Sequence, residues 1–307
     1  MKIYYLVQAH TNPSQLKRMI SQLTDDQVFF LIHIDSKTSI DIFKEISNKK
    51  NIHFIENRVN CIWGDFSQVQ ATLNLIQDLK LFSVQPEDRI VLISGQDYPL
   101  KNAKEITKFY SENISKDFIE FFVAKEKHYR PYLNFKGYKV NRSDKRGDYV
   151  IFKKYNFTGI YKSLLKRCFK FKYLKYFFTE KKLNPSITFY KGSQWWSLRY
   201  DTLQKIVDLY NSNYDEFYNF FKVSFCSDEY FFHTLLVQVM KDDIDIKVES
   251  LLTYIDWDRT NVPLPVTFTI EDKEFLKTAS DNFLYARKFD TTKDKEILDW
   301  IDLKLLK

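Results

Sequence analysis

Short apolar runs alternate with longer, helix-periodic stretches in the first hundred residues. Four of these runs have the length of a strand, at residues 3–7, 28–34, 52–55 and 90–93. Runs that are apolar throughout are typical of strands buried on both faces, and the polar stretches between them are typical of crossover helices. The pattern therefore predicts a parallel α/β sheet.

The clearest helix follows the third strand. Asp65 is placed to cap it, and Phe66, Val69, Leu73 and Ile76 recur at three- and four-residue steps. This spacing gives one apolar stripe, which predicts a helix that packs on the sheet.

Polar or aromatic residues follow the ends of the predicted strands, at His10, Asp35, Trp63 and Asp97. Ligands of such sheets bind beyond the carboxyl ends of the strands, so these side chains converge where a nucleotide would lie. Asp35 has two interpretations, a hydrogen bond to a ribose or uracil and a cap for the helix toward which residues 36–42 lead. His10 is either a ligand contact or a structural histidine. Neither a G-x-G-x-x-G turn nor a P-loop is present.

A second candidate centre lies in the carboxyl third. Ser227 predicts an N-cap, which places Asp228 and Glu229 in the first turn of an apolar helix, at the positive end of its dipole. Acids at this position serve either the helix start or, as a base, the chemistry of a site.

Aromatic residues accompany these acids at Trp195, Trp196 and Trp257. A sugar packs its C–H face on an aromatic ring, so this composition suits a carbohydrate ligand. The two adjacent tryptophans are alternatively core residues. Because neighbouring strand residues point to opposite faces, we expect one of them to face away from the core.

The segment 162–182 interleaves lysine and arginine with aromatic and aliphatic residues, and Glu180 is its one acid. Such a segment binds an anionic membrane surface or phosphates, or it forms an amphipathic helix pair that covers the sheet. Both interpretations stay open here.

The composition limits the classes of protein to which the chain can belong. The chain has 307 residues, 44% of them hydrophobic, with 47 basic against 40 acidic residues. No secretory signal and no membrane-spanning run is recognisable. Three scattered cysteines indicate neither a disulfide framework nor a zinc site. We therefore expect a cytoplasmic protein, in peripheral contact with the inner face of the membrane if segment 162–182 binds it.

Seven ordered motifs carry a resemblance to a known family. They run from residue 2 to residue 290, and the chain resembles the core-2/I-branching glycosyltransferases, which include the peptide O-xylosyltransferases. The motifs are His33-Ile34-Asp35-Ser36-Lys37, Trp63-Gly64 with residues 69–75, Leu92 to Leu100, Gly192-Ser193, Ser227-Asp228-Glu229, Ile255-Asp256-Trp257 and Ala286-Arg287-Lys288-Phe289-Asp290.

The resemblance implies a GT-A-type fold, a Rossmann-like and mostly parallel sheet flanked by helices, with a carboxyl-terminal acceptor-side portion. It implies a nucleotide-sugar-binding half at residues 1–124 and an acceptor-side, catalytic half at residues 125–307 within one domain. The reaction would be inverting transfer of a sugar, of N-acetylglucosamine or xylose type, from a UDP donor to a hydroxyl of a glycan or lipid-linked oligosaccharide in surface polysaccharide synthesis.

The resemblance also assigns roles. Glu229 would be the base, Asp35 and Trp63 would lie in the uridine pocket, and Asp97 would lie near the donor sugar. Arg287 and Lys288 would hold the diphosphate without a metal, because two cations can neutralise the charge that builds on departing UDP. The remaining candidates are His10 on the donor side and Trp195, Trp196, Asp228 and Trp257 on the acceptor side.

Two D-x-D matches, at residues 243–245 and 256–258, fit a manganese motif in sequence only. Both lie in the carboxyl third, so we interpret them as a loop and as part of the Asp-Trp motif, and we expect no metal cofactor.

Two rival functions remain. A non-catalytic carbohydrate-binding module would keep the aromatic faces but does not need Asp35, Arg287 and Lys288. A nucleic-acid-binding protein would explain the positive charge, but no recognition motif accompanies it, so we expect no nucleic-acid partner.

Overall fold

The computed structural model describes residues 1–46 and 51–307. Its centre is a seven-stranded sheet, and three smaller sheets adjoin it. The strands are β1 (Ile3–Ala9), β2 (Val28–Ile34), β3 (Ile52–Phe54), β4 (Arg89–Ser94), β5 (Asp97–Pro99), β6 (Lys116–Phe118), β7 (Phe122–Val123), β8 (Tyr138–Asn141), β9 (Tyr149–Phe152), β10 (Tyr190–Lys191), β11 (Trp196–Arg199), β12 (Lys247–Glu249), β13 (Thr253–Ile255) and β14 (Tyr285–Arg287).

The strand order of the main sheet is β12-β6-β11-β4-β1-β2-β3. Strands β3, β2, β1 and β4 pair in parallel, which confirms the sheet predicted from the apolar runs. Strand β11 runs antiparallel between β4 and β6. Strands from both predicted halves thus share one sheet.

Two hydrophobic clusters cover the two faces of the sheet. Tyr5 and Val7 belong to one cluster, whereas Tyr4 and Leu6 belong to the other. Successive strand residues point to opposite faces, so a strand that is apolar at every position fills both cores.

Helices flank the sheet and continue into the carboxyl third. The predicted third-connection helix is confirmed as Phe66–Asp78, and Asp65 caps it by accepting from the Ser67 amide at 3.0 Å. The α-helices are α1 (Pro13–Leu23), α2 (Phe66–Asp78), α3 (Ala103–Glu112), α4 (Ala124–Lys127), α5 (Tyr129–Phe135), α6 (Thr158–Leu165), α7 (Lys175–Phe178), α8 (Tyr200–Ser212), α9 (Tyr214–Phe221), α10 (Phe231–Asp242), α11 (Lys273–Ala279) and α12 (Glu296–Lys304), and 3₁₀ turns span Ile40–Ile46, Leu79–Leu81, Phe171–Leu174, Ser227–Glu229 and Ile270–Asp272.

The predicted N-cap at Ser227 is wrong. The Ser227 hydroxyl donates to the backbone oxygens of Phe221 and Ser224, and Ser227–Glu229 forms a separate 3₁₀ turn before α10 begins at Phe231. Cys226 takes a left-handed conformation (φ 54°) ahead of that turn. The acids are therefore positioned by a tight turn rather than by the first turn of the long helix.

The segment 162–182 does not form a helix pair that covers the sheet. Helix α6 packs instead on the β8–β9 hairpin, and Val150, Phe152 and Tyr173 form a small core of their own. Lys181 is buried, and its ammonium donates to the Phe135 oxygen at 2.7 Å. Within the described ranges, every helix is too short or too polar to cross a bilayer.

Candidate active site

A cation lies where strands β5 and β14 pair. Arg287 is opposite Asp97 in this antiparallel pair, with its Nε 3.4 Å from the Asp97 Oδ1. The guanidinium also stacks over the Trp195 ring, 4.1 Å from the ring centre. Its Nε and Nη1 are buried, and neither has a hydrogen-bond partner in residues 1–46 and 51–307. A buried donor without a partner is costly, so this geometry favours an anionic ligand.

Asp97 has no exposed surface, and its oxygens accept from the Ser94 amide (2.7 Å) and the Ser94 hydroxyl (3.1 Å). Burial raises the pKa of Asp97, although the charge of Arg287 and the hydrogen bonds from Ser94 oppose the shift. In this structure Asp97 thus faces Arg287 and the end of β4 rather than open space. The role that the geometry supports is to position the guanidinium, and a direct contact with a sugar stays a prediction.

Lys288 is the next residue, and it carries the second cation to the same edge. Partial burial lowers its pKa, and the charges of Arg287, Arg146 and Lys293 lower it further. His10 directly follows strand β1. Desolvation lowers the pKa of His10, and the charge of Lys288 lowers it further, although the charge of Asp35 opposes the shift. The positive potential at this edge is suited to a diphosphate.

Asp35 follows β2 and is buried. Its Oδ1 accepts from the Lys37 amide at 2.9 Å, and its Oδ2 lies 3.0 Å from the Lys37 ammonium. The next helical turn starts only at Ile40, so Asp35 holds a local turn and does not cap that helix. The ligand role predicted for Asp35 stays a prediction.

Trp63 is partly exposed (39%), and the Phe225 ring packs edge-on against it at 5.6 Å. The Arg146 guanidinium stacks on its ring at 4.7 Å. Arg146 comes from the tip of the β8–β9 hairpin, which is held down by a 2.6 Å bond from Asn60 to Asp144. The hairpin therefore brings a third cation over the predicted uridine pocket.

The Glu229 turn is anchored to this same region. The Cys226 amide donates to the Gly64 oxygen at 3.0 Å, and the Gly192 amide donates to the Glu229 oxygen at 3.0 Å. A Cβ on Gly192 would lie 1.8 Å from the Glu120 oxygen, so only glycine permits this approach. The carboxylate of Glu229 remains partly exposed and forms an ion pair with Lys191 at 2.9 Å.

Asp228 has a different environment from Glu229. Its Oδ1 is buried without a hydrogen-bond partner in the part of the chain that the structure describes. Burial, and then the adjacent charge of Glu229, raise the pKa of Asp228 to about 7, although Lys139 and Lys191 oppose the shift. Two neighbouring carboxyls with contrasting environments are typical of sites that handle protons.

The three tryptophans of the acceptor side take different positions. Trp196 begins β11 and packs on Phe232 in the core, and Trp195 is buried under Arg287. The expectation that one of this pair faces away from the core is wrong, because Trp195 precedes strand β11 and belongs with Trp196 to the same hydrophobic cluster. Trp257 is 54% exposed after β13, which pairs with β14, so its ring is accessible to a ligand.

The first aspartate of each D-x-D match forms an ion pair with a basic side chain. Asp243 pairs with Lys205 at 2.8 Å, and Asp256 pairs with Arg259 at 3.0 Å. In the described ranges no cluster of three or more His, Cys, Asp or Glu residues is arranged to hold a metal ion.

Sequence reasoning missed Lys191 and Arg146. Lys191 precedes the Gly192 motif directly, and that position was the available signal. Arg146 lies in a loop of mixed charge, Arg142 to Asp148, where nothing in the sequence separates it from its neighbours.

Comparison with known proteins shows the family of the chain. The family model "Core-2/I-Branching enzyme" matches residues 3–278. Xylosyltransferase 2 of Mus musculus is 22% identical over 324 residues, 99% of this chain and 34% of that protein, and Xylosyltransferase 2 of Homo sapiens is 21% identical over 322 residues with the same coverage. The chain spans about a third of the length of these relatives.

Among solved structures, mouse xyloside xylosyltransferase 1 in its apo form aligns with 92% of this chain and 97% of its own, at 10% identity and a TM-score of 0.34. The fold class is confirmed as α/β of glycosyltransferase type by the family match and the mostly parallel sheet. The chain therefore belongs to the core-2/I-branching enzyme family, a family of glycosyltransferases.

Proposed function

We propose that the protein transfers a sugar, of N-acetylglucosamine or xylose type, from a UDP donor to a hydroxyl of a glycan or lipid-linked oligosaccharide, with inversion and without a metal. The observation that carries this proposal is Arg287, whose buried Nε and Nη1 lack hydrogen-bond partners among the described residues, although the Asp97 ion pair and the Trp195 ring hold the guanidinium in place. The names of the relatives support the choice of a xylose-type donor.

In this proposal the acceptor oxygen forms a bond to the anomeric carbon on the face opposite UDP. The bond from that carbon to the UDP oxygen breaks, and the electron pair leaves with UDP. Arg287 and Lys288 stabilise the charge that builds on the diphosphate. Glu229 takes up the proton of the acceptor hydroxyl late in the reaction.

The uridine would lie against Trp63, with His10 and Asp35 at the neighbouring strand ends. Stacking on a partly exposed indole and a carboxylate acceptor suit a uracil and its ribose. Trp257 would contact the sugar of the acceptor. Asp228 lies beside Glu229 in the same 3₁₀ turn, and it would contribute to the acceptor side of the site from there.

A cytoplasmic enzyme of surface polysaccharide synthesis is the setting that we propose. Cys61, Cys168 and Cys226 are unpaired in the described structure, in agreement with a reducing compartment. This setting would give access to UDP-sugars and to an acceptor at the inner face of the membrane.

A donor screen tests the function. We expect UDP release from one of several UDP-sugars without an acceptor, by slow hydrolysis, and no release from the others. Absence of both UDP binding by calorimetry and UDP release would favour a carbohydrate-binding module without catalysis.

A further inference from the structure

Helix α6 packs Ile160 on the small core and presents its other large apolar residues to solvent. Gly159 and Ser163, one turn apart, are buried, and a Cβ on Gly159 would lie 2.6 Å from a backbone oxygen of β9. Tyr161, Leu164 and Leu165 are each at least 55% exposed. A helix of a globular protein normally buries its large apolar residues. The exposed residues of α6 are therefore typical of a surface that a binding partner covers.

Aromatic rings extend this apolar face. The ring of Phe177 lies 4.5 Å from Phe157, 5.9 Å from Tyr155 and 5.1 Å from Phe178, centre to centre. The outer three rings are all more than 60% exposed, and so is Phe171 at 84%. We call the following set the α6 face: Tyr155, Phe157, Tyr161, Leu164, Leu165, Phe171 and Phe178.

The part of the chain that carries the α6 face is rich in positive charge. Residues 149–179 contain eight lysines and arginines and no acid, whereas the net charge of the whole chain is +7. The rest of the chain is therefore close to neutral. The basic residues are Lys153, Lys154, Lys162, Lys166, Arg167, Lys170, Lys172 and Lys175.

We propose that the α6 face binds the surface of an anionic lipid bilayer. Exposed leucines and rings would lie at the boundary between headgroups and acyl chains, and the lysines would lie beside the lipid phosphates. Exposed aliphatic side chains distinguish this partner from a nucleic acid, which uses stacked rings and cations but has no site for leucine.

The position of the α6 face matters for the reaction, and this point rests on the proposed function. The β8–β9 hairpin that supports α6 also carries Arg146 onto Trp63. Binding of the α6 face would therefore hold the donor-side residues close to the bilayer, where a lipid-linked acceptor is presented.

Vesicle flotation of the full chain tests the proposal without an activity readout. The probes are vesicles of phosphatidylcholine alone and of phosphatidylcholine mixed with phosphatidylglycerol. We expect binding to the mixed vesicles only, reduced by salt and reduced about tenfold or more in the double variant Leu164→Ser, Leu165→Ser. The matched control, Leu81→Ser with Phe275→Ser, replaces two residues that are 60% and 64% exposed elsewhere and should bind like wild type.

Thermal unfolding of each variant at the wild-type midpoint shows that it is folded. Failure of the wild type to bind the mixed vesicles would overturn the proposal, and so would equal binding by the α6 variant. Salt-dependent binding to an oligonucleotide in place of vesicles would identify a nucleic-acid surface. UDP release by soluble enzyme is independent of all these results, so the proposed function stands or fails separately.

Discussion

The ammonium of Lys191 lies 2.9 Å from the carboxylate of Glu229. Lys191 ends strand β10, Gly192 follows it, and the Gly192 amide donates to the backbone oxygen of Glu229. Both the side chain and the main chain of Glu229 are thus fixed by two consecutive residues of one segment. Such double support is how a site holds a base within a narrow range of geometries.

Lys191→Met should therefore lower transfer without a loss of UDP binding. It removes the ion pair with the carboxylate while keeping the approximate length of the side chain. We expect turnover to fall about tenfold to a hundredfold, from steady-state kinetics, and Lys191→Arg to recover part of the loss. An unchanged turnover in Lys191→Met would mean that the ion pair is incidental.

Glu229→Gln keeps the shape of the side chain but removes its capacity to accept a proton. Transfer should fall about 10²–10⁴-fold, while the affinity for UDP by calorimetry stays nearly unchanged. Retention of more than about a tenth of wild-type turnover would exclude Glu229 as the base. Asp97 and Asp256 would be poor alternative bases, because each is paired with an arginine.

Asp228→Asn is the matched control, with a milder loss of turnover and a distinct effect of pH on stability. The pKa of Asp228 is raised from 3.8 to about 7 in the folded protein, so between about pH 4 and 7 the folded state binds more protons than the unfolded state. Stability from this group falls as pH rises through that window.

Wild type should accordingly lose stability relative to Asp228→Asn between pH 5 and pH 8, measured as the difference in unfolding midpoints. A difference that does not change with pH would mean that Asp228 titrates normally in the folded chain.

Arg287→Ala and Lys288→Ala should each weaken UDP binding or transfer. Each removes a charge-assisted contact to phosphate, which costs roughly 1.5–3 kcal/mol, or about tenfold to more than a hundredfold. Lys293→Ala, which removes a nearby cation, serves as the control and should have a smaller effect. UDP affinity within about twofold of wild type in both variants would make the pair structural.

Local patterns predicted the strands and α2 because their burial and capping depend on neighbouring residues. The apolar runs required two covered faces, and Asp65 caps the helix immediately beside it. The turn at Ser227 was not predictable in this way, since its hydroxyl donates to the backbone oxygens of Phe221, at the end of helix α9, and of Ser224, in the turn that follows.

The site was only partly readable from sequence for the same reason. Motif resemblance identified Arg287 and Glu229, but the pairing of Arg287 with Asp97 depends on two strands far apart in the chain. Trp196 was misassigned because the second core that buries it is built from helices such as α10. Lys191 and Arg146 depend entirely on tertiary placement.

The most direct test is UDP release by the wild-type enzyme in excess EDTA, with Lys288→Ala measured beside it. If Arg287 and Lys288 neutralise the leaving diphosphate, the wild-type rate should be unchanged by EDTA and by added manganese, and Lys288→Ala should be slow in both. Complete loss of wild-type release on chelation, restored by manganese, would contradict the account.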